Sequence, residues 1–206
     1  MKPASRACLV LLNGDLPDAA LVRKAARGAR GVLCADGGAR HAVRLGIEPD
    51  YVVGDMDSLP KPLPRWKRTV FWCDFDEQRS DFEKTLSFAR DLGCRRVLVA
   101  GALGGRTDHA LVNLALIERH SRDLEIVLLE RGTARLLGPG RYRLGLKRGA
   151  TFSLLAAPRA KVSLAGAKYP LKQAALEAGS RGLSNKAPGP ASLTVHRGRL
   201  WLVIPD

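Results

Sequence analysis

Two aspartates two residues apart, in Gly54-Asp55-Met56-Asp57-Ser58, carry the sharpest chemical signal in the chain. They follow a short apolar run, residues 51–53, that reads as a strand, so both carboxylates can face one point beyond its end. At a separation of ~5 Å their repulsion is roughly 3 kcal/mol at an effective dielectric of about 20. A divalent cation removes that cost, and an all-oxygen site with room for water and phosphate suits Mg2+. Read as turn-formers, the same two residues need no ligand, and the motif alone divides evenly between the two readings.

Other residues add to it. Ser80-Asp81-Phe82-Glu83 has the spacing of a capping box and starts a helix expected to run to Leu92. Asp81 then sits in a first turn, where the helix dipole favours a carboxylate. It reads as a third metal ligand beside Asp55 and Asp57, with Lys84 one turn on, near the phosphates or simply paired with Asp81. Gly101-Ala102-Leu103-Gly104-Gly105-Arg106-Thr107-Asp108-His109 is a glycine-rich turn between a strand and a helix. Backbone amides at Gly104 and Gly105 can approach phosphate there, and Arg106 can grip it through two donors. The turn has neither the Walker A ending nor the Rossmann glycine spacing. Asp108 reads as a binding residue or a helix cap, and His109 as a buried, satisfied histidine. Asp36-Gly37-Gly38 suggests a tight turn with close ligand approach or a cap, and Asn13-Gly14-Asp15 invites the same pair of readings.

The elements that must position these residues alternate. Apolar runs at 7–12, 32–35, 51–53, 69–72, 97–100 and 125–129 read as strands, and 18–29, 39–45, 80–92 and 107–120 as helices, the last capped by Thr107. Such alternation predicts an α/β fold, a mostly parallel, Rossmann-like sheet with flanking helices. Ligands of such sheets sit at the carboxyl ends of the strands, where the Asp36, Asp55–Asp57 and 101–109 segments should converge. After residue 131 short strand-like runs at 141–144, 151–155, 161–164, 192–195 and 200–204, separated by Gly and Pro, predict a C-terminal all-β sandwich. The expected domains are 1–130, binding ATP and Mg2+, and 131–206.

Bulk properties narrow the classes. The chain has 206 residues and a formal charge of +14, its basic residues scattered rather than clustered. That charge favours a surface that draws in polyanions such as ATP over a nucleic-acid binder. No apolar run is long enough to cross a membrane, and the start reads as a first strand rather than a signal peptide, which places the protein in the cytoplasm. None of Cys8, Cys34, Cys73 and Cys94 forms a Cys-x-x-Cys pair, so all four are expected to be reduced and mostly buried.

The ordered set 35–39, 54–58, Ser80-Asp81 with Lys84, 104–109 and Gly182-Leu183-Ser184-Asn185, with Gly166-Ala167-Lys168-Tyr169-Pro170-Leu171 before the last, resembles the thiamine pyrophosphokinase family over nearly the whole chain. The resemblance implies an α/β catalytic domain, a β-sandwich domain that binds thiamine, and a homodimer with active sites shared between subunits. It implies diphosphate transfer from ATP to the thiamine hydroxyl. It assigns Asp55, Asp57 and Asp81 to Mg2+, puts Asp36, Arg106 and Asp108 in the same cleft, and sends Ser184 and Asn185 to the thiamine. The chain departs from the family at Glu77-Gln78, followed by Arg79, where a charged pair is usual, and at Lys186-Ala187-Pro188-Gly189, where animal and fungal members carry an aromatic residue. The rival classes are a diphosphokinase for another alcohol, such as a hydroxymethyl pterin, and a non-catalytic nucleotide- or thiamine-diphosphate-binding protein.

Overall fold

The computed structural model describes residues 7–16 and 18–206. The chain divides into two compact units, Met1–Glu130 and Arg131–Asp206.

The first unit is built on β1 (Cys8–Leu11), β2 (Gly31–Ala35), β3 (Tyr51–Gly54), β4 (Val70–Cys73), β5 (Arg96–Ala100) and β6 (Glu125–Glu130). They lie side by side in the order β6-β5-β1-β2-β3-β4, every pairing parallel. β1 is buried along its whole length, which explains why it is apolar throughout rather than alternating. The helices α1 (Ala19–Gly28), α2 (Ala39–Leu45), α3 (Asp81–Asp91) and α4 (Thr107–His120) fall between strands. Asp18 caps α1 by accepting from the Leu21 amide, and Ser80 caps α3 by accepting from the Glu83 amide. Thr107 is not the cap expected of it. Arg106 occupies the cap position of α4, and its side chain makes no capping bond to the helix amides.

The chain runs from β1 outward to β4 in one direction, then returns to β5 on the other side of β1. The winding therefore reverses between β1 and β5, where parallel sheets open a crevice at their carboxyl ends. The loops that flank it are the Asn13-Gly14 turn and the glycine-rich turn after β5, tied together by the Gly14 amide donating to the Gly101 carbonyl at 3.0 Å.

The second unit is antiparallel throughout: β7 (Gly132–Leu137), β8 (Gly140–Arg143), β9 (Thr151–Ala165), β10 (Leu171–Glu177), β11 (Asn185–Lys186) and β12 (Ser192–Ile204). The expected short strands at 151–155 and 161–164 are one strand of 15 residues, and those at 192–195 and 200–204 are one of 13. Pro158 and Gly198, read as breaks in the sequence, fall where both long strands shift register together, as paired strands do at a bulge. The core gathers Phe152, Leu154, Val162, Leu193, Leu200 and Leu202.

The thiol expectation fails for two of the four cysteines. Cys8 and Cys94 form a disulfide. Cys8 lies on β1 and Cys94 just ahead of the neighbouring β5, and their Cα atoms stand 6.3 Å apart, within reach of such a bond. Cys34 is free and buried, as expected, whereas Cys73 is free and exposed.

Candidate active site

Three aspartates meet at the strand ends. Asp36, Asp55 and Asp57 each place a carboxylate oxygen within 4.8 Å of the other two. Asp36 follows β2, and the other two follow β3. Asp36 (φ 32°) and Met56 (φ 70°) have positive φ, sparsely populated for residues with a side chain and the kind of strain that collects at functional sites. The turn at Met56 sends its two flanking carboxylates to the same side. Asp36 is buried, and its Oδ2 accepts from the Ser58 amide at 2.9 Å. Its Oδ1 is buried with no hydrogen-bond partner among the described residues.

Asp81 stands next to this trio rather than within it. Gly54 explains how it comes so close. A Cβ on Gly54 would lie 2.8 Å from the Asp36 Cβ and 2.8 Å from the Asp81 Oδ1, so the missing side chain lets both aspartates close over the end of β3. Lys84 supplies the counter-charge. Its Nζ is 3.4 Å from the Asp81 Oδ1 and donates to the Asp74 carbonyl at 2.9 Å. The lysine side chain is 3 % exposed, so it belongs to the interior of the site and not to a solvated helix face.

The protonation equilibria follow from this crowding. Burial raises the Asp36 carboxyl to about 6, against the pull of the Ser58 amide and with the neighbouring Asp57 and Asp81 carboxylates adding to the rise. Asp81 is also raised, chiefly by burial, with Lys84 opposing and Asp55 and Asp57 contributing. Asp57 is lowered, chiefly by the Ser58 hydroxyl, which donates to its Oδ1 at 2.8 Å. Carboxylates that raise one another in this way are a site for positive charge. A buried orphan oxygen, carboxylate oxygens converging on it and no nitrogen or sulfur donor fit a hard divalent cation such as Mg2+.

A cleft of about 630 Å³ opens beside the aspartates. Asp55, Asp81 and Lys84 line one side, and Gly104, Gly105, Arg106 and His109 line another. Arg106 is exposed and forked onto Asp108, with bonds of 3.1 Å and 2.6 Å. That fork and the His109 amide hold the Asp108 carboxyl down to about 2. His109 is exposed rather than buried, correcting the expectation for it. His41 on α2 is buried, as is His120 at the end of α4, and the His41 Nε2 lies 2.6 Å from the Gly14 carbonyl and fixes the turn after β1. Gly37 and Gly38 are set by close packing. A Cβ on Gly38 would fall 2.0 Å from the Leu11 carbonyl oxygen, and one on Gly37 2.7 Å from the Asn13 Nδ2.

Ser184 and Asn185 belong to the second unit. Ser184 is exposed, with φ 54°. Asn185 is buried, and its amide is used internally: Oδ1 accepts from the Tyr169 and Lys186 amides, and Nδ2 donates to the Tyr169 carbonyl at 2.8 Å. Asn185 therefore clasps the Tyr169 loop, a role its sequence neighbours did not reveal.

The α/β unit thus carries a carboxylate cluster at its strand ends and, beside it, a cleft that a glycine-rich turn also lines. Comparison with known proteins gives the family. The thiamin pyrophosphokinase catalytic domain matches residues 22–128. Thiamine pyrophosphokinase 2 of Arabidopsis thaliana is 31% identical over 150 residues, covering 61% of this chain and 55% of the plant protein. The chain thus spans about half the length of the plant relatives it matches. The thiamin pyrophosphokinase of Geobacillus thermodenitrificans superposes with a TM-score of 0.82 at 23% identity, covering 97% of each chain. The yeast enzyme superposes with a TM-score of 0.77 at 15% identity, covering 99% of this chain and 87% of its own. The chain belongs to the thiamin pyrophosphokinase family.

Proposed function

We propose that the protein is a thiamine pyrophosphokinase, which transfers the terminal diphosphate of ATP to the hydroxyl of thiamine and releases AMP. The observation that carries this reading is the buried, unpartnered Asp36 oxygen in a trio of carboxylates, one of which, Asp55, lines the same cleft as the glycine-rich turn. Family membership supplies the substrates.

Asp55, Asp57 and Asp81, joined by Asp36, would hold Mg2+. When bound, the ion offsets the charge of the transferring phosphates. Lys84 holds Asp81 in place. The Gly104 and Gly105 amides and Arg106 bind phosphate oxygens, Arg106 by trading its Asp108 partner for phosphate. The thiamine oxygen bonds to the β-phosphorus while the bond from that phosphorus to the α–β bridging oxygen breaks. The hydroxyl proton passes to a carboxylate of the cluster, and AMP leaves with the bridging oxygen. Catalysis is then mainly positioning and charge neutralisation.

The same reading makes residues 1–130 a Rossmann-like catalytic domain and 131–206 a β-sandwich that binds thiamine through the exposed Ser184, with Asn185 shaping the loop beneath. It also takes the protein to be a cytoplasmic homodimer with shared active sites. Among the described residues no helix is long and apolar enough to cross a membrane.

Incubation with ATP, Mg2+ and thiamine tests the proposal. AMP and thiamine diphosphate should form together in equal amounts. AMP formation only with a hydroxymethyl pterin would move the assignment to another acceptor, and nucleotide binding without AMP would mark a non-catalytic protein.

A further inference from the structure

The cleft is lined by one arginine that the sequence motifs did not single out. Arg79 immediately precedes Ser80, the cap of α3, and its side chain is 35 % exposed. It is held along one edge only. Nε donates to the Asp76 Oδ2 at 2.7 Å and Nη2 to the Asp74 Oδ2 at 2.9 Å. The opposite edge, Nη1 with the second Nη2 hydrogen, makes no hydrogen bond among the described residues.

The loop that carries Arg79 is itself fixed. The Asp76 amide donates to the Asp74 Oδ1 at 3.1 Å and the Gln78 amide to the Asp76 Oδ1 at 2.9 Å. The Asp74 amide bonds to the Gly54 carbonyl at 2.9 Å, and the Asp74 carbonyl accepts from Lys84. One frame thus joins Arg79 through Asp74 to the end of β3 and the lysine of the carboxylate cluster. A guanidinium immobilised on one edge, with a pair of donors free on the other, has already lost the side-chain entropy that usually opposes binding. Its planar fork matches two oxygens of a phosphate. The other cations lining the cleft, Lys84 and Arg106, are engaged by Asp81 and Asp108.

We propose that Arg79 is a phosphate-binding residue of the nucleotide site, gripping the polyphosphate of ATP with its free edge while Asp74 and Asp76 hold its other edge in place. The inference rests on the ATP-dependent reading given above. Asp74 and Asp76 act as positioning residues, since they reach the ligand only through the guanidinium.

Steady-state kinetics and calorimetric titration with Mg-ATP on the full chain test it. Arg79→Gln should raise the KM and Kd for ATP on the order of 10- to 100-fold, the value of a charge-assisted pair, and leave the KM for thiamine unchanged. Arg79→Lys keeps the charge without the fork and should fall between. Equal weakening of both substrates with a lowered thermal midpoint would overturn the proposal, because a loop brace predicts that pattern. So would ATP binding indifferent to Arg79, and this result would leave the transferase reading standing. Arg79-dependent ATP binding without thiamine diphosphate formation would support the proposal and remove the transferase reading.

Discussion

Replacing Lys84 by Met tests the electrostatic design of the site. The methionine keeps most of the apolar stem and removes only the ammonium. That ammonium lies 3.4 Å from Asp81, a gross attraction of about 5 kcal/mol at an effective dielectric of 20. Desolvation of the buried lysine cancels much of this. The Asp81 side chain is 34 % exposed, so solvent screens the pair further. Against those discounts stand the orphaned Asp74 carbonyl and an Asp81 left to face Asp55 and Asp57 without a counter-charge. We expect the variant to lose about 2–4 kcal/mol of stability in chelator, the ~3–5 kcal/mol typical of breaking a buried pair reduced by roughly 1 kcal/mol for the exposure of Asp81. Millimolar Mg2+ should return part of that loss, since a bound cation replaces the missing positive charge. Urea unfolding with and without Mg2+ reads both numbers. A loss below about 0.5 kcal/mol, the scale of an exposed pair, or an equal loss in both conditions would refute the reasoning.

Three further outcomes follow from the same geometry. The Asp36 carboxyl is raised from 3.8 to about 6, so the folded state holds its proton more tightly than the unfolded chain. Its contribution is full below about pH 3.8 and is lost as pH rises to about 6; in chelator, Asp36→Asn should flatten that part of the stability profile and be more stable than wild type at pH 7, while losing activity. Gly54→Ala places a Cβ against Asp36 and Asp81 at a φ of 151° and should cost about 2–5 kcal/mol in urea unfolding, from backbone strain and overpacking together. The Cys8–Cys94 disulfide closes a separation of 86 residues, worth about 4–5 kcal/mol on the chain-entropy account; removing both cysteines should lower the urea midpoint, and adding reductant to the wild type should reproduce part of the shift.

The parallel sheet was legible because its inner strands β1, β2 and β3 are almost wholly buried apolar runs alternating with amphipathic helices, two of them opened by side-chain caps, and the convergence of loops at the strand ends followed from that alternation. Asp36 was harder to weigh. Asp-Gly-Gly after a strand reads equally as a cap, and only the fold reveals that Gly54 lets Asp36 and Asp81 close over the same strand end. Lys84 read either as a residue near the phosphates or as the i, i+3 partner of Asp81, and its burial was not legible because the phase of α3 against the sheet is a tertiary property. The disulfide required knowing that β5 returns to the side of β1, which no cysteine spacing reports. In the second unit, Pro158 and Gly198 disguised two long strands as four short ones because each break is accommodated only by its partner. Asn185 was read by resemblance as a ligand to thiamine, yet hydrogen bonding to the Tyr169 loop uses its side chain.

The most direct test of the account is calorimetric titration of the metal-free protein with Mg2+. The account predicts saturable binding at one site per chain, lost in Asp55→Asn and in Asp36→Asn while circular dichroism stays unchanged. Binding of the same strength in either folded variant would contradict it.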